Sequence, residues 1–310
     1  MEPVTILYIL GSARSGSSLL ASLVGELDGC FATAETRLLW HGFDDRRCGC
    51  GVPVRECPVW SAAIAYAADR AGGVDPGQLV SLQRHTTRTR HVGRIVGGRA
   101  DEHQLSVEYG DALAHLYQGL SEVTGARVIV DSSKSPAEAA LLGRRTDIDC
   151  RIVHLVRDAR AVAYSWARAA GRDPARRRQS LVDTASRWVA TNMIAERVCR
   201  AAGDGGALRI RYEDLVADAN TTLASIIGLA GVSGDGLSEP TGDTPRLSRH
   251  MVGGNALRFA PERTVVRADT EWAGAMPRYA SAGVTAICWP LLARYGYSLA
   301  RPAGRAEAAV

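Results

Sequence analysis

The sequence predicts an α/β fold, a P-loop-like three-layer arrangement in which a central parallel sheet is flanked by helices and carries a helical lid insertion. Three observations predict it. Short apolar runs alternate with stretches of helical period, the pattern of strands joined by crossover helices. The first run, "VTILYIL", leads directly into the glycine-cornered loop "GSARSGSS" (Gly11 to Ser18) and then into a helical stretch. One long segment, Asp44 to Ser121, holds no convincing strand and reads as an insertion.

Element by element, the strands are the apolar runs Val4 to Leu10, Cys30 to Ala34, Arg127 to Val130, Arg151 to Val156 and Ala207 to Ile210. Helical patterns fall between them at Ser17 to Leu27, Pro136 to Arg144, Ala159 to Ala170, Leu181 to Ala201 and Asn220 to Leu229. Parallel strands joined in this way are covered on both faces, and ligands on such sheets sit beyond the carboxyl ends of the strands. Residues 1–300 read as one domain with the lid at about 44–121, while 301–310 lack anything to bury and read as a flexible tail. A second insert, "AAGRDPARRRQS", sets Arg172, Arg176, Arg177 and Arg178 on an exposed loop, more naturally a solvated face than a substrate clamp.

Composition narrows the function. The 310 residues are 46% hydrophobic and 23% charged, ample for a real core. A formal net charge of +4 suits an anionic ligand but is too small to argue for nucleic-acid binding. No apolar run approaches the ~18 residues of a membrane span. "VTILYIL" is too short for a signal peptide and Glu2 has the wrong charge to precede one, so a cytoplasmic location is expected. Seven cysteines, an odd number, argue against a disulfide framework. Three of them cluster in "CGCGVPVREC" as Cys48, Cys50 and Cys57, with His41 upstream. Zinc is one reading of the cluster. Cys-x-Cys is not the usual Cys-x-x-Cys knuckle, however, and no second paired half follows, so the favoured reading is a structural loop without metal.

Chemistry concentrates at the glycine loop. Its spacing is that of the Walker A loop, G-x-x-x-x-G-K-[ST], but Ser17 occupies the lysine position and Arg14 lies three residues earlier. Gly11 and Gly16 permit a tight turn close to an oxyanion, and the helix that follows aims free N–H groups and a positive dipole end at it. Ser15, Ser17 and Ser18 add hydroxyl donors, and Arg14 adds a fork of N–H donors. The plain alternative is a glycine turn with no ligand. A second anion site is suggested by "RIVHLVRDARAVAYSWAR", where Arg157 ends a strand and Ser165 follows eight residues later, two turns along a helix. An Arg-Asp pair capping a helix is also common structural furniture.

"RSGSSLL" followed by "HLVRDARAVAYS" resembles the paired nucleotide motifs of sulfotransferases that use 3′-phosphoadenosine 5′-phosphosulfate (PAPS) and release the bisphosphate PAP. The likeness is to bacterial carbohydrate-type and tyrosylprotein-type members. It implies that Arg14, Ser15, Gly16, Ser17 and Ser18 cradle the 5′-phosphosulfate and that Arg157 and Ser165 hold the 3′-phosphate. "RYEDLV" resembles the segment whose tyrosine, here Tyr212, lies near the adenine. "HMVGGNALRF" resembles a late loop closing over the nucleotide and implicates Gly254, Asn255 and Arg258. The family works without magnesium, which fits a loop lacking the Walker lysine, because a triphosphate carries its charge to a γ-end where lysine and metal are needed.

Sulfuryl transfer to a hydroxyl needs a base for the acceptor, charge stabilisation on the moving group and help for the leaving phosphate. "AETR" follows the second strand and resembles the family's Glu-x-Arg segment, implying Glu35 as base with Arg37 beside the substrate or tuning that carboxylate. An exposed strand-end ion pair is the competing reading. In "VIVDSSKSP", Lys134 is implied as the group neutralising charge between leaving phosphate and sulfuryl, with Arg14 contributing to catalysis; Asp131 reads as a cap, or as an orienter of Arg14 or Lys134. The histidine base of aryl and steroid members has no counterpart beside Lys134, leaving Glu35 or a lid histidine such as His41. His154, Trp166 and Trp188 read as core, and Cys150, Cys199 and Cys288 as buried thiols.

The expected acceptor is a hydroxyl of a small molecule, sugar or glycolipid. Two rivals remain: a P-loop kinase, for which "RVIVD" would be a metal-binding strand ending in Asp131, and an inactive nucleotide-binding protein.

Overall fold

β1 (Val4–Leu10) sends alternate side chains into two cores, and the fold is arranged around that division. The structure is a computed structural model that describes residues 3–98, 104–172, 179–231, 250–253, 266 and 268–300. The other strands are β2 (Cys30–Ala34), β3 (Val128–Asp131), β4 (Ile148–Val156) and β5 (Ala207–Arg211). All pair in parallel in the order β2-β3-β1-β4-β5. Ile6 of β1, for example, sits between Ile129 of β3 and Cys150 of β4.

The helices are α1 (Ser17–Gly25), α2 (Pro58–Ala71), α3 (Pro76–Thr86), α4 (Val92–Val96), α5 (Gln104–Thr124), α6 (Pro136–Leu142), α7 (Ala159–Arg172), α8 (Leu181–Ala201), α9 (Tyr212–Ala217), α10 (Ala219–Leu229), α11 (Glu271–Ala275) and α12 (Arg278–Arg294). On one face of the sheet Ile6, Tyr8, Ile129 and Ile152 pack under α5 and α6. On the other, Leu7, Ile9, Val130 and Leu155 pack under α1 and α10. Each fully buried aliphatic side chain contributes about 1.5–3 kcal/mol. A further cluster joins α7, α8 and α12 through Trp188, Val284 and Leu292. This is the three-layer α/β sheet expected.

Three strands depart from their expected bounds. β4 begins at Ile148 rather than Arg151, because Asp149 and Arg151 form an ion pair (2.8 Å) and interrupt the apolar pattern without interrupting the ladder to β1. β3 spans Val128–Asp131 rather than Arg127 to Val130, and β5 runs one residue further than its apolar run, to Arg211. The 44–121 segment forms helices, as expected, together with an isolated bridge between Arg47 and Pro53 and another from Cys48 to Val252. Its last helix does more than cover. α5 runs to Thr124, and Leu113, Leu116, Tyr117 and Leu120 make it one of the layers packed on the sheet, with α2 and α3 stacked outside it. No helix among the described residues is long and apolar enough to cross a membrane.

Candidate active site

Because the strands are parallel, their carboxyl ends lie at one edge, and each delivers one element there: the Gly11–Ser18 loop after β1, Glu35 after β2, Lys134 after β3, Arg157 after β4 and Tyr212 after β5. Three non-glycine residues with positive φ among those described are Arg14 (72°), Ala34 (64°) and Lys134 (60°), and all lie here. A left-handed conformation costs a non-glycine residue roughly 1–2 kcal/mol, so the surrounding packing must impose it.

The loop turns as its glycines dictate. Gly11 has φ 143°, and a Cβ there would lie 2.2 Å from the Leu155 carbonyl oxygen. Gly16, the residue before α1, has φ 94°, and a Cβ would lie 2.5 Å from the Tyr212 ring. Ser17 opens α1 and is buried, and Ser18 follows half-buried. The Ser15 hydroxyl points inward and donates to the Ser12 carbonyl at 2.6 Å, so it shapes the loop. The Arg14 guanidinium lies 5.3 Å from the centre of the Trp166 ring. Trp166 is thus half core and half platform, a contact the helical pattern of α7 did not reveal.

Arg157 reaches the same loop from β4. Its Nη1 donates to the Arg14 carbonyl at 3.1 Å, and its guanidinium sits 4.4 Å from the Tyr212 ring centre, so Tyr212 is wedged between Gly16 and Arg157. Trp188 Nε1 donates to the Arg157 carbonyl at 3.0 Å, fixing the backbone at the strand end. Arg157 Nη2 forms an ion pair with Asp269 at 3.0 Å, and Arg168 from α7 approaches the same carboxylate at 3.4 Å. Arg157 Nε is buried with no hydrogen-bond partner among the described residues. Ser165 lies buried on α7, next to Trp166.

At the other end of the site, Lys134 Nζ donates to Glu35 Oε1 at 2.9 Å and to the Ser132 carbonyl at 2.6 Å. The Glu35 amide donates to the Val252 carbonyl at 3.0 Å, and the Arg37 amide donates to Ser133 Oγ at 3.0 Å. Arg37 Nε, like that of Arg157, is buried with no partner among the described residues. Asp131 faces away from the loop. It accepts from Tyr117 OH at 2.6 Å and from the Ser133 amide at 2.6 Å, so it caps the turn that carries Lys134, and burial pushes its pKa up.

Beneath this edge lies a buried polar network that sequence reasoning missed. Glu138 accepts from Tyr8 OH and Tyr109 OH, each at 2.9 Å, and from Gln83 Nε2 at 3.1 Å. Gln83 also donates to the Arg37 carbonyl at 2.9 Å and pairs with His41 Nε2 at 2.6 Å, tying α3 to the Glu35–Arg37 turn. Burial raises the Glu138 pKa, and the positive charge of Arg37 partly opposes it. These residues come from four separate elements, and only alternate strand and helix positions hinted at them. Above the network opens a cleft of about 440 Å³ whose lining includes Arg37, His41, Arg84 and Arg88.

Other expected residues fall as follows. His154 is core: burial lowers its pKa, and Nε2 pairs with Asn192 at 2.9 Å. None of the seven cysteines forms a disulfide; Cys288 is buried, while Cys150 and Cys199 are half-buried. His41 belongs to the cleft, and the histidine beside the Cys48–Cys50–Cys57 cluster is His250. Gly254, Asn255 and Arg258 lie outside the described residues, as do Arg176, Arg177, Arg178 and the 301–310 tail.

The fold has known counterparts. The model of the sulfotransferase family matches residues 7–235, from β1 past β5. Among solved structures, the chain is similar to the sulfotransferase domain from the Synechococcus PCC 7002 olefin synthase, with a TM-score of 0.56, 20% identity, and coverage of 96% of this chain and 97% of that one. It is likewise similar to the sulfotransferase domain from the curacin biosynthetic pathway, with a TM-score of 0.53, 15% identity, and coverage of 97% and 99%. No curated protein matches it. The structural likenesses speak to the fold; the family match spans the glycine loop, Glu35, Lys134, Arg157 and Tyr212 together, and by it this chain belongs to the sulfotransferase family.

Proposed function

We propose that the protein transfers a sulfuryl group from PAPS to a hydroxyl of a small-molecule, sugar or glycolipid acceptor, by in-line displacement without a catalytic metal, leaving PAP. The observation that carries this reading is the pair of buried guanidinium Nε groups, on Arg157 and Arg37, that have no partner among the described residues at the two ends of one strand edge. A buried guanidinium N–H with no acceptor is costly, and an anionic ligand would supply one.

In this reading the loop amides, with Arg14, Ser17 and Ser18, hold the 5′-phosphosulfate at the start of α1, and Ser15 keeps the loop in shape. Arg157 and Ser165 take the 3′-phosphate, and Tyr212 flanks the nucleoside. The family resemblance assigns Gly254, Asn255 and Arg258, which lie outside the described residues, to the same nucleotide. Glu35 accepts the acceptor's hydroxyl proton as its oxygen bonds to sulfur. The bond between sulfur and the 5′-phosphate oxygen breaks, and Lys134 and Arg14 stabilise the charge left on that oxygen. Lys134 is already bonded to Glu35, so loading the donor draws the ammonium toward the leaving oxygen and frees the carboxylate. The phosphotransferase rival needs Asp131 on a metal, whereas its carboxylate is bonded to Tyr117 and Ser133 in the core.

Calorimetry in magnesium-free buffer tests the reading: PAP should bind with a Kd on the order of micromolar, and labelled PAPS should give labelled product with a suitable hydroxyl acceptor. Phosphoryl transfer from magnesium-ATP with no PAP binding would instead favour a kinase. Tight PAP binding with no turnover across a broad acceptor panel would favour an inactive binding protein.

A further inference from the structure

Cys48, Cys50, Cys57 and His250 bring four ligand atoms within 4.8 Å of one another, and we propose that they form a structural zinc site clamping residues 250–253 to the end of β2. The four arrive by separate routes. Cys48 and Cys50 lie on the short hairpin whose bridge joins Arg47 to Pro53. Cys57 immediately precedes α2, where the helix end favours a thiolate. His250 comes from 193 residues beyond Cys57. Its Nδ1 lies 3.2 Å from Cys57 Sγ and 3.8 Å from Cys48 Sγ. Tetrahedral zinc, with Zn–S of about 2.3 Å and Zn–N of about 2.0–2.1 Å, separates such ligands by roughly 3.6–3.8 Å. Three thiolates and one imidazole are a closed structural set with no open position for substrate. Cys48 and Cys57 are fully buried, and Cys50 and His250 are half-buried.

The surroundings hold the ligands in place and show what a clamp would secure. Trp60 Nε1 donates to the His250 carbonyl at 2.6 Å, and the Gly49 amide donates to the Met251 carbonyl at 2.9 Å. Two residues past His250, Val252 bridges both Cys48 and Ala34. Its amide donates to the Thr33 carbonyl at 2.8 Å, and its carbonyl accepts from Glu35 at 3.0 Å. Gly253 packs so closely that an added Cβ would sit 3.1 Å from the Glu35 carbonyl oxygen. Zinc at the cysteines would therefore fix the 250–253 segment that fixes Glu35. It does not depend on sulfuryl transfer being the reaction.

The experiment is metal analysis of the full chain purified in reductant without chelator, repeated after incubation with zinc. We expect about one zinc per chain, bound through thiolates. Cobalt(II) replacing it should show thiolate charge-transfer bands and the strong visible bands of tetrahedral coordination. Cys57→Ser and His250→Ala should lose stoichiometric metal, and His250→Cys should retain it. Should those variants fail to fold, the wild-type protein still decides the matter through alkylation mapped by mass spectrometry. Cys48, Cys50 and Cys57 should be protected with zinc and become reactive after stripping at mildly acidic pH, while Cys150 and Cys199 do not change. Substoichiometric metal after zinc incubation, a cobalt spectrum without thiolate bands, or a Cys48–Cys57 disulfide in freshly purified reduced protein would overturn the proposal.

Discussion

Lys134 and Glu35 are joined by a 2.9 Å ion pair across 99 residues, linking the ends of the adjacent strands β3 and β2. Both side chains are largely buried, at 14% and 21% exposure, so the pair is not a solvated surface contact. If Glu35 is the base, Glu35→Gln should cut turnover by roughly a hundredfold or more, with PAP affinity retained because Gln can still accept from Lys134. A more acidic acceptor should partly rescue Glu35→Gln, whereas Lys134→Ala should be rescued by a donor with a more acidic leaving group. Rates measured on both substrate series check the assignment. Near-normal turnover in Glu35→Gln would move the base to His41.

Arg157 is paired with Asp269 at 3.0 Å, so a 3′-phosphate arriving there competes with a carboxylate. Arg157→Ala should lose most PAP binding by calorimetry but little binding of adenosine 5′-phosphosulfate, which lacks the 3′-phosphate. Asp269→Asn should tighten PAP binding by up to about fivefold, the range of a partly exposed ion pair. Weaker binding in Asp269→Asn would make Asp269 a positioning residue for Arg157 rather than a competitor.

Arg84 and Arg88 line the cleft beside Arg37; if the acceptor enters there, one that carries an anionic group as well as a hydroxyl should be favoured. Replacing both with Ala should raise KM for such an acceptor by up to about tenfold and leave kcat and PAP affinity unchanged. Added salt should have the same effect on the wild-type enzyme. An unchanged ratio of KM between an anionic acceptor and its neutral analogue would remove the cleft from acceptor choice.

Glu138 is fully buried, and burial raises its pKa above that of the unfolded chain. Between the ordinary glutamate pKa and the higher folded one, the folded protein holds a proton that the unfolded chain releases. Its contribution to stability is present below the ordinary glutamate pKa and is lost as pH rises through the higher folded value. Glu138→Gln keeps an acceptor for Tyr109 and Gln83 but removes the titration. In denaturant titrations over a pH series, the stability of Glu138→Gln relative to wild type should rise with pH across that window and then level off. A difference independent of pH would mean that Glu138 keeps an ordinary pKa in the fold.

The sequence by itself determined the five strands, the helices α1, α6, α7, α8 and α10, the helical character of the 44–121 segment and the glycine loop, because these depend on local periodicity and backbone freedom. β1, β2 and α8 lie where their patterns place them, and Gly11 and Gly16 take the positive φ that their loop requires. α9, α11 and α12 were not legible: α12 carries Pro290 within it and has its apolar residues spread around much of its circumference. Tertiary structure decided what depends on contact between distant segments. Strand order turned strand ends into a single edge, and burial sent Asp131 to Tyr117 rather than to a ligand. Folding set Asp269 against Arg157 and carried His250, rather than the nearer His41, to the three cysteines. Spacing along a chain fixes which residues share a face of a strand or helix, but only the packed sheet fixes which faces meet.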